Sequence, residues 1–141
     1  MKSGSILVFI LFVALLVPGL SSAGGVVIIT NENVPTSTLD RDDIKQIFLG
    51  KKTTWDNGVK IVFVVQDGTE ASDSFLETYV LKNAYQYDIY WKKQVFTGKG
   101  KTPKSFSSDQ DLVRFVSQTP GAIGYVSSGT ATGKAKTIPV R

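Results

Sequence analysis

The chain has 141 residues, and its 16 lysines and arginines outnumber 12 aspartates and glutamates, which gives a formal net charge of +4. It contains no cysteine and no histidine, which excludes disulfides, thiol chemistry and the commonest catalytic base. No serine stands in a nucleophile-elbow setting, and the acidic residues lack the spacing of a calcium loop. The basic residues are not arrayed on one helix with interleaved aromatics. We therefore expect no enzyme, no cofactor, no metal site and no binding to nucleic acid.

Residues 1–23 have the pattern of a secretory signal peptide. One early lysine, Lys2, precedes an apolar run from Ile6 to Val17, and small residues at 21–23 follow a Pro-Gly break. The apolar run is shorter than the roughly 18 to 20 residues that a membrane anchor needs. We expect cleavage after Ala23 and a periplasmic or secreted product without a lipidated cysteine, formed by a single domain over residues 24–141.

The first elements of this domain are a buried strand and an amphipathic helix. Val26–Ile29 is a short β-branched run, as is typical of a buried strand. Asp40 is suited to cap the helix, and Asp43 stands three residues later, where a capping box needs an acceptor. Gly50 fits the left-handed position at which such a helix ends.

A central strand and two further helices are predicted next. Residues 60–65 are almost entirely apolar, which indicates a strand covered on both faces. Ser74 and Glu77 fit a capping box if the following helix starts late, and another helix is expected after Asn83. This second helix carries Tyr87, Tyr90, Trp91 and Val95. We expect these side chains to pack into the core rather than to form a ligand cage.

The last part of the domain returns from a helix to the sheet. Ser108 is suited to cap the helix, Pro120 and Gly121 end it, and residues 122–127 form a strand. Because Gly124 interrupts this strand, a neighbouring element must lie close against it. Residues 137–140 fit an edge strand. Strands separated by helices predict an α/β fold with a mixed, mostly parallel sheet flanked by helices.

Three motifs in this order resemble the periplasmic phosphate-binding proteins of ABC importers. They are the helix end and tryptophan loop at 47–55, the Asp-Gly-Thr turn at 67–69, and the octapeptide Thr-Pro-Gly-Ala-Ile-Gly-Tyr-Val at 119–126. Short, single-lobe relatives of these receptors also share the stretch at 90–100. The resemblance implies one lobe of a type II periplasmic binding protein, about half of the two-lobe clamp, which would hold a small oxyanion on an open face.

The resemblance also implies a site in the loop at 66–73. In the phosphate receptors this loop presents backbone N–H groups and hydroxyls at a helix start, helped by an arginine just before the turn. Asp67 and Gly68 match this pattern, Thr69 can replace its serine, and Ser72 is a further candidate in the same loop. The chain departs from the family pattern at Glu70, which replaces a glycine, at Ala71, which replaces a threonine, and at Val65 or Gln66, which replaces the arginine.

A second candidate is the basic loop at 98–104, in which Lys99 and Lys101 could receive an anion or an acidic partner. A flexible, solvated loop is the alternative for this segment. Two hypotheses for the whole chain follow. The first is a periplasmic binding module for phosphate or a related oxyanion that serves an ABC importer or a sensor. The second is an envelope interaction module that keeps the fold, has lost most of the anion site and docks to another protein.

Overall fold

A computed structural model describes residues 25–141, so the predicted signal peptide at 1–23 lies outside the described residues. Within the described range no helix is long and apolar enough to cross a membrane. The elements alternate between strands and helices along the chain. In order they are β1 (Val26–Thr30), α1 (Arg41–Phe48), β2 (Val62–Gln66), α2 (Glu70–Phe75) continued by a π-helical turn (Leu76–Val80), α3 (Ala84–Phe96), β3 (Lys104–Phe106), α4 (Asp109–Gln118), β4 (Ala122–Ser127) and β5 (Lys136–Ile138).

The five strands form one mixed sheet in the order β3-β2-β4-β1-β5. Strand β2 runs parallel to both β3 and β4, whereas β1 runs antiparallel to both β4 and β5. The predicted mixed α/β sheet flanked by helices is therefore confirmed, with parallel and antiparallel pairings equal in number. Strand β3 was not expected, because three exposed or half-buried residues at the end of the basic loop carry no strand pattern.

Two apolar clusters cover the two faces of the sheet. One cluster joins α1, α2 and α3 to the sheet through Phe48, Phe75 and Tyr125, and the other joins α4 through Leu112 and Val116. Side chains of β4 alternate between the two clusters, as the period of two in a strand requires. Every residue of β4 except the last is buried, so this strand is the centre of the core.

The helix starts follow the predicted caps with one exception. Asn83 and Gln86 form a reciprocal capping box at α3, and Ser108 Oγ accepts a hydrogen bond from the Asp111 N–H at α4. The late start at Ser74 is wrong. Helix α2 begins at Glu70 because the Thr69 side chain already accepts a hydrogen bond from the Ser72 N–H, which satisfies one of the free donors of the first turn.

The close neighbour expected at Gly124 is α4. A Cβ at this position would lie 2.7 Å from Leu112 Cδ2 and 3.1 Å from Val64 Cγ2. The aromatic prediction for α3 is confirmed for Tyr87 and Trp91, which are buried. It is wrong for Val95, which is 44% exposed, because this residue lies at the edge of the helix face that carries Tyr87 and Trp91 and is only partly covered.

Candidate functional site

The turn between β2 and α2 lies beyond the carboxyl end of a central strand, which is where open α/β sheets bind ligands. Strand β2 ends at the buried Gln66, and the next two residues, Asp67 and Gly68, are exposed. Gly68 has a φ of 67°, a left-handed conformation that glycine adopts without strain. Helix α2 then begins directly after Thr69, so the predicted site residues stand at a helix start, as the resemblance implies.

Both hydroxyls of the predicted site have partners inside the protein. Thr69 Oγ1 donates a hydrogen bond to Gln66 Oε1 at 2.8 Å and accepts one from the Ser72 N–H at 3.1 Å. Ser72 Oγ donates a hydrogen bond to the Gln66 carbonyl oxygen at 2.8 Å. The Ser72 N–H is already bound to Thr69 and the Asp73 N–H bonds to the Thr69 carbonyl oxygen, so the first-turn donors that remain for a ligand are the backbone N–H groups of Glu70 and Ala71.

Gln66 stands near the family's arginine position, and its side chain is held by an acid from α4. Its Nε2 donates hydrogen bonds to Asp109 Oδ1 at 2.6 Å and to the Tyr125 carbonyl oxygen at 3.1 Å. The Asp109 carboxylate also accepts hydrogen bonds from the Ser127 N–H and the Thr130 hydroxyl. Asp109 lies in the first turn of α4, and no local signal in the sequence links it to a residue 43 positions earlier.

Burial alone raises the pKa of Asp109, but the hydrogen bonds from Gln66, Ser127 and Thr130 outweigh it, so the pKa lies below its ordinary value. A carboxyl with a lowered folded-state pKa stabilises the fold above its unfolded pKa of about 3.9, and this contribution disappears as the pH falls through the folded-state value.

We expect Asp109→Asn to lower the free energy of unfolding by about 1 kcal/mol at pH 7, because a charge-assisted acceptor becomes neutral. The difference from the parent chain should begin to shrink below about pH 4, where the unfolded carboxyl takes up a proton, and should disappear only as the pH falls through the lower folded-state pKa. Urea unfolding of both chains from pH 3 to pH 7 measures it. Asp111→Asn is the control, since this acid lies in the same helical turn and is exposed. A difference that stayed constant with pH would contradict the expectation.

The Tyr125 hydroxyl is hydrogen-bonded to residues on both sides of the turn, Gln66 and Ser72. Strands β2 and β4 pair only through Val62 and Phe63, and further along β2 the Gln66 N–H donates to the Tyr125 hydroxyl at 2.9 Å. The Tyr125 hydroxyl in turn reaches Ser72 Oγ at 3.2 Å, and its ring stacks on Phe75 with centroids 3.9 Å apart. Burial raises the pKa of Tyr125, which keeps this hydroxyl neutral. The Tyr125 hydroxyl therefore accepts the hydrogen bond that a backbone carbonyl oxygen of β4 would accept if the two strands were still paired at Gln66.

A cleft of about 230 Å³ lies beside the turn, between the end of β2, helices α2 and α3, and the segment 102–105. It brings together the two segments that the sequence singled out, because Asp67 and Ser72 line it from one side and Thr102 and Pro103 from the other. Gly68, Thr69, Lys99 and Lys101 are not among the lining residues. The residues that line it are Val65, Gln66, Asp67, Ser72, Leu76, Ala84, Tyr87, Asp88, Trp91, Thr102, Pro103 and Ser105.

The floor of the cleft is aromatic and its rim is acidic. Tyr87 donates a hydrogen bond from its hydroxyl to the Phe48 carbonyl oxygen at 2.7 Å, and the Trp91 indole Nε1 is buried without a hydrogen bond to the described chain. The charged lining residues are Asp67 and Asp88. Glu70 and Asp73 add further exposed carboxylates at the start of α2. Within residues 25–141 no group of three or more acidic side chains is placed to hold a metal ion.

Comparison with known proteins agrees with this architecture. The family described as the PBP superfamily domain matches residues 22–138. No curated protein matches the chain. Among solved structures, an ABC-type phosphate transport receptor from Vibrio cholerae superposes with a TM-score of 0.65 at 20% identity, over 82% of this chain and 46% of the receptor.

Two other solved structures superpose over a similar range. A putative phosphate ABC transporter substrate-binding protein from Clostridium perfringens, with bound phosphate, has a TM-score of 0.65 at 25% identity, over 82% of this chain and 44% of its own. PstS from Borrelia burgdorferi has a TM-score of 0.64 at 16% identity, over 82% of this chain and 47% of its own. The chain thus spans less than half the length of these receptors. Since the family match covers most of the sequence, the chain belongs to the PBP superfamily domain family.

Proposed function

We propose that this chain is a periplasmic binding-protein lobe that receives phosphate or a related oxyanion weakly, on an open face, and serves an ABC importer or a sensor. The ligand would meet the turn formed by Asp67, Gly68 and Thr69, beside Ser72, with Lys99 and Lys101 adding positive charge from the neighbouring loop. The chain would bind the anion without reacting with it. We further propose that it is exported by the segment at 1–23 and works in the periplasm.

The observation that carries this proposal is the start of α2 at the edge of the cleft. Backbone N–H groups at a helix start attract anions, because they lack acceptors and lie at the positive end of the helix dipole. The family match and the printed description of the Clostridium perfringens protein, which contains bound phosphate, support the choice of ligand. Thr102 and Pro103 bring the basic loop to the opposite side of the same cleft.

Three features argue that the affinity is low. The hydroxyls of Thr69 and Ser72 are already hydrogen-bonded within the protein. Asp67, Glu70 and Asp73 place carboxylates around the helix start, and phosphate itself carries about −1.5 to −2 charges near neutral pH. The rim of the cleft is formed by exposed residues, whereas tight sites bury most of a ligand's surface. We therefore expect a dissociation constant on the order of 1 mM, far weaker than an enclosed site would give.

Thermal denaturation of residues 24–141 tests the proposal. At about 10 mM phosphate, a dissociation constant of about 1 mM stabilises the fold by about 1.4 kcal/mol, which raises the Tm by several degrees. Sulfate should act in the same direction and chloride at equal ionic strength should not. If phosphate raises the Tm no more than chloride does, the binding proposal is wrong.

Variants locate the site through the size of the phosphate-induced shift rather than through the Tm itself. Glu70→Gln should enlarge the shift because it removes a carboxylate at the helix start, and Glu77→Gln, two turns along the same helix, is its control. Lys99→Ala combined with Lys101→Ala should reduce the shift. Lys60→Ala serves as the matched control, because this exposed lysine precedes β2 at the end opposite to the cleft.

The engaged hydroxyls and the acidic rim also favour a second candidate, an envelope interaction module that keeps the lobe and no longer binds an anion. This candidate expects no difference between phosphate and chloride in any variant, including Glu70→Gln. The same denaturation series therefore separates the two functions.

A further inference from the structure

Helix α3 has two apolar faces, of which only one is covered by the described chain. Tyr87 and Trp91 are buried on the inner face. On the outside, Tyr85 is 73% exposed, Ile89 is 45% exposed and Phe96 is 92% exposed. An outward face of a surface helix is normally polar, so large apolar side chains on it need a separate explanation.

These exposed side chains form a single line along the helix. Residues at spacings of four, three and four lie on the same face of an α-helix, which places Tyr85, Ile89, Lys92 and Phe96 in one row. We call this row the outer α3 stripe. At 100° per residue the outer α3 stripe lies about 150° around the helix from the middle of the inner face, so it points away from the core of its own domain.

Opposite charges accompany the outer α3 stripe near its centre. Asp88 Oδ2 and Lys92 Nζ form an ion pair at 2.8 Å, and both side chains are largely exposed. Lys92 belongs to the stripe, whereas Asp88 lies on its flank, where it also lines the cleft. The stripe therefore has an aromatic ring at each end and one side of an ion pair between them. Along the helix, an aromatic ring is followed by an acid, an apolar side chain, a base and a second aromatic ring. The order of ring, charge, apolar group, charge and ring is the same when it is followed in the opposite direction.

We propose that the outer α3 stripe is a homodimer surface on which α3 packs antiparallel against α3 of a second copy, about a two-fold axis near residue 90. In this register Tyr85 of one copy faces Phe96 of the other, and Asp88 faces Lys92 at both symmetry-related positions. A two-fold interface requires such self-complementarity. A parallel arrangement would instead place Asp88 against Asp88 and would align the two helix dipoles unfavourably.

The size of the surface predicts a weak dimer. Helix α3 has 13 residues, which corresponds to about 20 Å of contact length. Two aromatic side chains of about 150 to 250 Å² each, with Ile89 and the stem of Lys92, stay below the roughly 800 Å² per partner of a standard interface. We expect a dissociation constant on the order of 10 to 100 µM, which suits an association that depends on local concentration.

The first experiment measures the mass of residues 24–141 by sedimentation equilibrium up to about 1 mM. The parent chain should show a monomer and dimer equilibrium, and Phe96→Glu should weaken it at least about tenfold, because it places two acids within the apolar contact. Gln110→Glu adds the same charge on the exposed face of α4 and should leave the equilibrium unchanged. Phe96 is almost fully exposed, so the variant should fold like the parent chain.

Charge exchange between copies tests the register. Asp88→Lys places two bases on each stripe, and Lys92→Asp places two acids, so each variant alone should dimerise at least about threefold more weakly than the parent chain. An equimolar mixture should restore association as a heterodimer, because every facing pair is again of opposite charge. Changes within a single copy cannot produce this recovery, since each copy keeps its unfavourable pair.

Three results would overturn the proposal: a parent chain that stays monomeric up to 1 mM, a dimer that Phe96→Glu does not weaken, or a mixture that associates no better than its components. Vesicles of anionic phospholipid provide the competing outcome. If a monomeric parent chain binds them and Phe96→Glu does not, the stripe is a membrane surface and the homodimer proposal is wrong. None of these measurements involves phosphate, so their result is independent of the proposed binding function.

Discussion

Replacing Gly121 by alanine is expected to lower the free energy of unfolding by about 2 to 5 kcal/mol. Gly121 has a φ of 77°, a conformation that costs any residue with a Cβ about 1 to 2 kcal/mol. The added Cβ would also collide with the carbonyl oxygen of Lys60, which belongs to the backbone and cannot turn away. Overpacking of this kind costs a further 1 to 3 kcal/mol or more, about as much as the strain.

The surroundings of Gly121 leave little room for relaxation. Its carbonyl oxygen accepts hydrogen bonds from Trp55 Nε1 at 3.0 Å and from the Val62 N–H at 3.1 Å, and its own N–H donates to Asn33 Oδ1 at 3.2 Å. A shift that relieved the collision with Lys60 would stretch these three bonds. The backbone at Gly121 therefore cannot move away from Lys60 without weakening hydrogen bonds to three other residues.

Urea unfolding measures the effect, and the midpoint should fall by more than about 1 M. Gly58→Ala separates the two causes, because Gly58 has a φ of 82° but nothing within 4 Å of an added Cβ. Gly58→Ala should lower the free energy of unfolding only by the cost of the left-handed conformation, about 1 to 2 kcal/mol. Equal losses for the two variants would mean that the collision with Lys60 contributes nothing.

Tyr125→Phe is expected to cost about 2 kcal/mol, although it removes a single oxygen atom. The hydroxyl is the acceptor for the Gln66 N–H at a point where β4 no longer pairs with β2. Without it a buried backbone donor has no partner, and such a loss costs about 1 to 3 kcal/mol. Ser72 Oγ loses a hydrogen bond as well. The stacked contact with Phe75 remains in the variant.

Tyr79→Phe is the matched control, because this ring also packs against Phe75 while its hydroxyl makes no hydrogen bond to the described chain. Its stability should change by less than about 0.5 kcal/mol. Hydrogen exchange provides a local measurement for Tyr125→Phe, since the Gln66 amide should exchange faster relative to amides elsewhere in the sheet. A variant as stable as the control, with an unchanged Gln66 amide, would show that the hydroxyl does not support the turn.

Local chemistry made much of the fold predictable. The caps at Asn83 and Ser108 act on backbone groups within three residues, so their pattern can be read from a short stretch of sequence. Gly124 could also be interpreted, because a glycine inside an apolar strand indicates a close neighbour, and Leu112 takes that place. The resemblance to phosphate receptors identified the family, which the match over residues 22–138 confirms.

Longer-range features could not be predicted in the same way. The start of α2 was misplaced because Ser74 and Glu77 have the spacing of a capping box, whereas Thr69, which caps the helix, is followed three residues later by Ser72 and lacks that pattern. The bond from Gln66 to Asp109 joins elements that are distant in sequence, and neither residue type marks the other. The ligand roles of Asp67, Gly68, Thr69, Ser72, Lys99 and Lys101 stay predictions that the denaturation series tests.

The side-chain amide of Gln66 is hydrogen-bonded to three separate elements of the fold. It accepts from Thr69 at the start of α2, and it donates to Asp109 at the start of α4 and to the backbone of β4. A turn braced in this way is preorganised, so a ligand would have little loop entropy to overcome on arrival. Engineering a tighter receptor from this lobe would therefore depend on replacing its acidic charges and enclosing its ligand, because further stiffening of the turn would add little.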